Sequence, residues 1–137
     1  MLVPDAPIAI QGEVVIAMGG SASRNFAPRF EAFELEMGIK VIAVTGRGSQ
    51  QVEKIRSERE AGLYTTDLWM TGVTSTKKVD ATGALQDNFL EHIILPDILD
   101  TDNWFGGKHW FPNGLEGKTL AFCASPNVTF AYNTDLV

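Results

Sequence analysis

The chain has a single cysteine, no basic run and no apolar stretch long enough to span a bilayer, and each absence removes a class of protein. One thiol, Cys123, cannot close an internal disulfide, so this is not a disulfide-stapled scaffold. The thiol lies in the apolar run Leu120-Ala121-Phe122-Cys123-Ala124 with no adjacent histidine or basic residue to activate it, which reads as a buried structural cysteine. With 17 acidic against 11 basic residues the net charge is −6, the wrong sign for tracking a phosphate backbone, so nucleic acid is not expected as a partner. Residues 1–11 carry two prolines but neither a basic leader nor a long apolar core, so they read as a leader or linker and not as an intact signal peptide. Catalytic signatures are missing too. The two histidines, His92 and His109, stand in no HxxxH or CxxC spacing, Gly46-Arg47-Gly48-Ser49 lacks the Lys-Ser/Thr end of a P-loop, Gly19-Gly20 is no dinucleotide fingerprint, and no GxSxG elbow occurs. No metal, cofactor or catalytic residue is therefore assigned.

What is present is a repeated pattern of strand, small polar turn and helix. In residues 39–45 a buried-strand run, Ile39-Lys40-Val41-Ile42-Ala43-Val44-Thr45, leads into Gly46-Arg47-Gly48-Ser49-Gln50-Gln51. There Ser49 is placed to cap a helix while two glycines let main-chain N–H groups approach a ligand. The pattern occurs twice more: residues 13–18 run into Gly19-Gly20-Ser21-Ala22-Ser23, and residues 67–70 into Thr71-Gly72-Val73-Thr74-Ser75. Alternation of strands and helices predicts an α/β three-layer sandwich with a mainly parallel sheet. With 137 residues, 45% of them apolar, the chain is long enough for one compact core.

The helices follow from spacing. Phe26, Phe30, Phe33 and Met37 recur at helical intervals over 24–37, predicting a core-facing stripe that ends at Gly38 as a left-handed cap. A second helix is expected from about 50 to 61, closed by Gly62, with Val52 and Ile55 inward and a mixed-sign outer face. A short third helix spans 74–81, closed by Gly83. From 87 to 106 the periodicity fails, and Pro96 divides the apolar residues into short turns of helix. Strand-like runs at 108–111 and 118–124 flank Pro112-Asn113-Gly114, which predicts a hairpin, and 128–132 reads as a last strand. Trp104, Trp110 and Phe111 either line a cleft or anchor the irregular segment.

If the three strands are parallel neighbours, the three turns share one sheet edge, where open α/β folds bind ligands. Ser21, Ser23, Ser49, Thr71, Thr74 and Ser75 then form a hydroxyl-rich set suited to anions, carboxylates or sugar hydroxyls, each residue being either a helix cap or a ligand contact. Arg47 is either an anion partner or a solvent-facing arginine.

Several phrases carry a resemblance to a known family. Ala32-Phe33-Glu34 through Met37-Gly38-Ile39-Lys40-Val41, Thr45-Gly46-Arg47-Gly48-Ser49, Thr66-Asp67-Leu68-Trp69-Met70 and Phe130-Ala131-Tyr132-Asn133-Thr134-Asp135-Leu136-Val137 resemble bacterial extracellular solute-binding proteins of ABC transporters. The resemblance is to the type II periplasmic-binding fold, in its ferric-iron-type branch, and covers about 12–137. It implies that 12–126 forms part of a first lobe and 127–137 a crossover strand toward a second lobe. Members of the family usually have more than twice this length, so the chain is expected to be an N-terminal fragment. The resemblance places the solute contacts at Gly20, Ser21 and Ala22, at Gly48, Ser49 and Gln50, and at Gly72, Val73 and Thr74; the reading of the turns themselves adds Arg47 and Thr71 as candidates. The tyrosines that hold iron in ferric members come largely from the other part of such chains, so no metal ligand is carried over.

It further implies a monomeric receptor that captures a small solute by hinge closure, without chemistry, and is read by a membrane permease. Its location would be periplasmic or extracellular, with a lipid anchor in the full-length form an open alternative. Two other classes compete: a small α/β enzyme using Ser49 or Cys123 as nucleophile, and a ligand sensor built on the same fold.

Overall fold

A computed structural model describes residues 12–122 and 135. The chain divides into two compact units, the first ending at Asp87 and the second beginning at Asn88.

The first unit is an α/β structure built on a three-stranded parallel sheet. Strand β1 (Glu13–Met18) leads to helix α1 (Gly20–Met37), β2 (Lys40–Thr45) to α2 (Gly48–Glu60), and β3 (Leu68–Met70) to α3 (Val73–Asp80). The strand order is β2-β1-β3. Both pairings are parallel, and Met18 at the end of β1 stands opposite Thr45 on one side and Met70 on the other. Consecutive residues Ile16, Ala17 and Met18 are all buried. Because neighbouring side chains on a strand point to opposite faces, the central strand is covered on both. The connection from β1 to β2 runs one way across the sheet and the connection from β2 to β3 runs back. Right-handed crossovers therefore place α1 and α2 on opposite faces, which is the three-layer arrangement expected of the sequence.

The α2 face holds the core. Val52, Ile55 and Val79 form a buried cluster, with Trp69, Ala84 and Leu85 packed against it. The Phe26, Phe30, Phe33 and Met37 stripe of α1 is not a buried core: no residue of α1 is buried, and Phe33 and Met37 are exposed. Phe26 and Phe30 stack on each other at 6.1 Å between ring centres instead. Helical spacing fixes which residues share a face but not whether another layer covers it.

Element ends differ from the sequence expectation in one consistent way. All three helices begin earlier, at Gly20, Gly48 and Val73, because glycine and small hydroxyl residues that read as turns form the first helical turn. The caps are Gly19, Arg47 and Gly72, and none supplies a side-chain cap. Ser49 is consequently not a cap; it lies inside α2. At the other end of α1, Gly38 adopts φ +67°, the left-handed conformation glycine accepts without strain, and its N–H donates to the Glu34 carbonyl.

The second unit contains the expected short helical turns: 3₁₀ turns at Phe89–His92 and Thr101–Asn103 and the helical turn α4 at Pro96–Leu99. The expected hairpin does not form a ladder. Leu115 N–H donates to Pro112 O at 2.9 Å to close the turn, and Ala121 N–H to Trp110 O at 2.8 Å, but neither 108–111 nor 118–122 is a strand. A turn signal sets a reversal, and the flanking residues here lack the alternation that would hold a register. Cys123 and the strand expected at 128–132 lie outside the described residues.

Candidate functional site

The three strand–helix turns lie along one edge of the sheet, since parallel strands present all their C-terminal ends together. Neighbouring strands are about 4.8 Å apart. The order β2-β1-β3 also makes the β1/β3 boundary the point where successive connections diverge to opposite faces, the position at which open sheets leave a crevice.

The helix starts share a pattern. Counting from each cap, the second helical residue is Ser21 in α1, Ser49 in α2 and Thr74 in α3. The hydroxyls of Ser21, Ser23, Ser49, Thr71, Thr74 and Ser75 make no hydrogen bond among the described residues. The same is true of the main-chain N–H groups of Gly20, Ser21 and Ala22, of Gly48, Ser49 and Gln50, and of Val73 and Thr74. None of the three helices has an acidic residue in its first turn. The positive ends of three helix dipoles therefore meet the solvent without a side-chain cap or carboxylate.

Two of the turns touch. A β-carbon added to Gly48 would lie 2.2 Å from Ser75 Oγ and 3.9 Å from Thr71 Oγ1, so the start of α2 is set directly against the start of α3. Arg47 is exposed, and its main-chain N–H donates to Gln50 Oε1 at 3.2 Å. The reciprocal bond of a full capping box is closed to it, because a guanidinium has no acceptor. Gln50 is thus engaged locally through its oxygen, whereas the Arg47 guanidinium has no partner among the described residues.

The segments that bear the three turns carry no acidic residue. Segments 14–30, 41–52 and 68–79 contain Arg24, Arg29, Arg47, Lys77 and Lys78 and no acidic residue, although the whole chain has net charge −6. Only Arg47 sits at the turns themselves; the others lie one to three turns along α1 and within α3.

Three polar contacts escaped the sequence reading. Gln51 is 4% exposed, and its Nε2 donates to Met18 O at 2.8 Å and to Val44 O at 2.9 Å. Thr76, also buried, accepts from Trp69 Nε1 at 3.2 Å and donates to Gly72 O at 3.1 Å. Glu34 accepts from Val41 N–H at 2.6 Å on the open edge of β2. Hydropathy treats Gln51 and Thr76 as surface; their one legible signal is position, four residues after each cap and directly before the inward-facing part of the helix.

The other candidates belong to the second unit. Trp104 Nε1 and His109 Nε2 both donate to the Ile98 carbonyl at 2.8 Å, with their rings edge-on at 5.2 Å. A carbonyl can only accept, so His109 carries its proton on Nε2. Trp110 Nε1 donates to Phe105 O at 2.7 Å, and Lys108 Nζ lies 4.2 Å from the Trp110 ring centre. These rings are tied to their own loop, which is the anchoring use. Among the described residues no group of three or more His, Cys, Asp or Glu side chains could hold a metal ion, and no helix is long and apolar enough to cross a membrane.

Comparison with protein-family models gave no match for this chain, and comparison with curated proteins gave none either.

Proposed function

We propose that this chain is part of the substrate-binding component of an ABC uptake transporter, one α/β lobe of the type II periplasmic-binding fold, and that its solute carries anionic oxygens. The observation that carries this reading is the repeated one: a hydroxyl at the second position of three helices that start on one sheet edge without caps. Eight main-chain N–H groups and six hydroxyls there have no hydrogen-bond partner among the described residues, and uncharged donors of this kind hold an oxyanion or carboxylate without transforming it. Arg47 at the turns, with no acidic residue in the flanking segments, favours an anion over a neutral sugar.

In this reading the rim supplies one side of the site. A second lobe contacts the same solute from the other side, and closure about a hinge follows because ligand contacts to both lobes stabilise the closed state. A permease that recognises that state is the partner, which places the protein in the periplasm or outside the cell. No nucleophile is required. Ser49 makes no hydrogen bond to a base among the described residues, which disfavours the serine-enzyme alternative.

Titration of the chain with inorganic sulfate, inorganic phosphate, acetate and glucose, followed by amide NMR, tests the reading. Saturable shifts confined to 19–23, 46–50 and 71–75 with one of the anions are expected. Response to glucose alone, response to none, or stoichiometric labelling of Ser49 by a serine-directed probe would overturn it.

A further inference from the structure

We propose that Gln51 is the positioning residue of this rim: its amide locks the turn after β1 to the turn after β2, so that Ser21 and Ser49 are presented as a preset pair. The proposal rests on the reading of that edge as the solute site. Gln51 is the fourth residue of α2, two after Ser49. Its Nε2 reaches Met18 O, on the last residue of β1, and Val44 O, one residue before the end of β2. Both partners are acceptors, so the orientation of the amide is forced.

The strand ladder is ending at this point. Gly46 N–H donates to Met18 O at 3.3 Å just past the end of β2, and beyond it the two chains separate into α1 and α2. One side chain therefore continues the pairing where the main chain cannot. Gly19 and Gly20 follow Met18 directly and lead to Ser21, so fixing the Met18 peptide fixes the approach to α1.

Packing alone does not account for Gln51. Its Oε1 is buried with no hydrogen-bond partner among the described residues, a penalty that an apolar side chain of the same length would avoid. Thr76 occupies the same fourth position in α3, and its hydroxyl is satisfied as both donor and acceptor. Among the described residues the Thr76 hydroxyl reaches Trp69 and Gly72, within its own strand–turn–helix segment. Gln51 instead reaches across to another segment more than thirty residues earlier.

The decisive experiment is backbone ¹⁵N relaxation on wild type, Gln51→Met and Thr76→Val. Gln51→Met keeps length and apolar volume but removes both donors. Amide order parameters at 19–21 are expected to fall from the rigid value of about 0.85 to below about 0.6 in Gln51→Met and to remain rigid in Thr76→Val. Rigid values at 19–21 in Gln51→Met would overturn the proposal, as would an equal loss in Thr76→Val. Gln51→Asn, one methylene too short to reach both carbonyls, decides the same question if Gln51→Met does not fold. Addition of inorganic phosphate, inorganic sulfate and acetate in turn separates the two ideas. A wild type that responds to none of phosphate, sulfate and acetate counts against the solute site, while the order parameters still decide the role of Gln51.

Discussion

Gly48 and Ser75 meet so closely that a β-carbon at position 48 would stand 2.2 Å from the Ser75 hydroxyl oxygen and 3.1 Å from its β-carbon. The second distance matters more. A hydroxyl can rotate away, but the Ser75 β-carbon is fixed to α3, so a side chain at 48 must push one helix start from the other.

Gly48→Ala is therefore expected to destabilise by about 1–3 kcal/mol, the usual range for overpacking, despite alanine's better helix propensity. Gly48→Ala with Ser75→Gly relieves the contact, so the double variant should be more stable than the sum of the single changes predicts. Urea denaturation of the four proteins measures this. Additive losses would show that the helix starts do not press on one another.

The second-position hydroxyls give a prediction of opposite character. Ser21, Ser49 and Thr74 are not caps, so Ser21→Ala and Ser49→Ala should each leave stability within about 0.5 kcal/mol of wild type, whereas loss of a true cap costs about 1 kcal/mol. Anion affinity should nevertheless fall, by roughly tenfold for each hydroxyl that donates to the ligand, or about 1.4 kcal/mol. Calorimetric titration beside thermal melts checks both. A drop in thermal midpoint with unchanged affinity would reverse the assignment.

The difference between cap and ligand donor marks how far the sequence could be read. The parallel sheet was legible because 13–18 and 39–45 are unalternated apolar runs followed by small residues, which few other structures accommodate. The common edge followed from topology alone. What hydropathy could not reveal was the register of the first helical turn, since Gly-Ser-Ala-Ser and Gly-Ser-Gln are equally acceptable as loop or as helix start. The buried amide of Gln51 was hidden for a related reason: its burial depends on two carbonyls more than five residues away, and no local pattern encodes them. The α1 stripe was misread in the other direction, because a periodic apolar face shows what needs covering and not what covers it.

Glu58 provides a pH-dependent test away from the rim. Burial raises its carboxyl pKa, but hydrogen bonds from Lys54 and Thr65 and the charges of Lys54 and Arg59 outweigh that and hold it below the ordinary value of 4.5. A carboxylate depressed in the fold binds fewer protons there than in the unfolded chain. Its contribution is full above the unfolded value and is lost as pH falls through the folded one. Wild type is therefore expected to lose stability below pH 4.5 more steeply than Glu58→Gln, and the two should differ most at neutral pH. Parallel denaturation curves at each pH would contradict the assignment.

The last test concerns how a three-residue strand is held at the sheet edge. Asp67 precedes β3, and it pairs with Val15 twice: its main-chain N–H donates to Val15 O at 3.0 Å, and its Oδ2 accepts from Val15 N–H at 2.8 Å. The carboxylate thus takes the place of the strand carbonyl that would otherwise continue the ladder below Leu68. Asp67→Ala leaves the Val15 N–H to water or to nothing, and should cost about 1–2 kcal/mol. Asp67→Asn keeps an acceptor at the same reach and should recover most of that loss. Hydrogen exchange at Val15 distinguishes this from a general effect of charge: the amide should exchange faster in the alanine variant and stay protected in the asparagine variant. Equal exchange in both would mean that Val15 is protected by the β1 environment and not by Asp67, and that β3 is held to the sheet by its ladder alone.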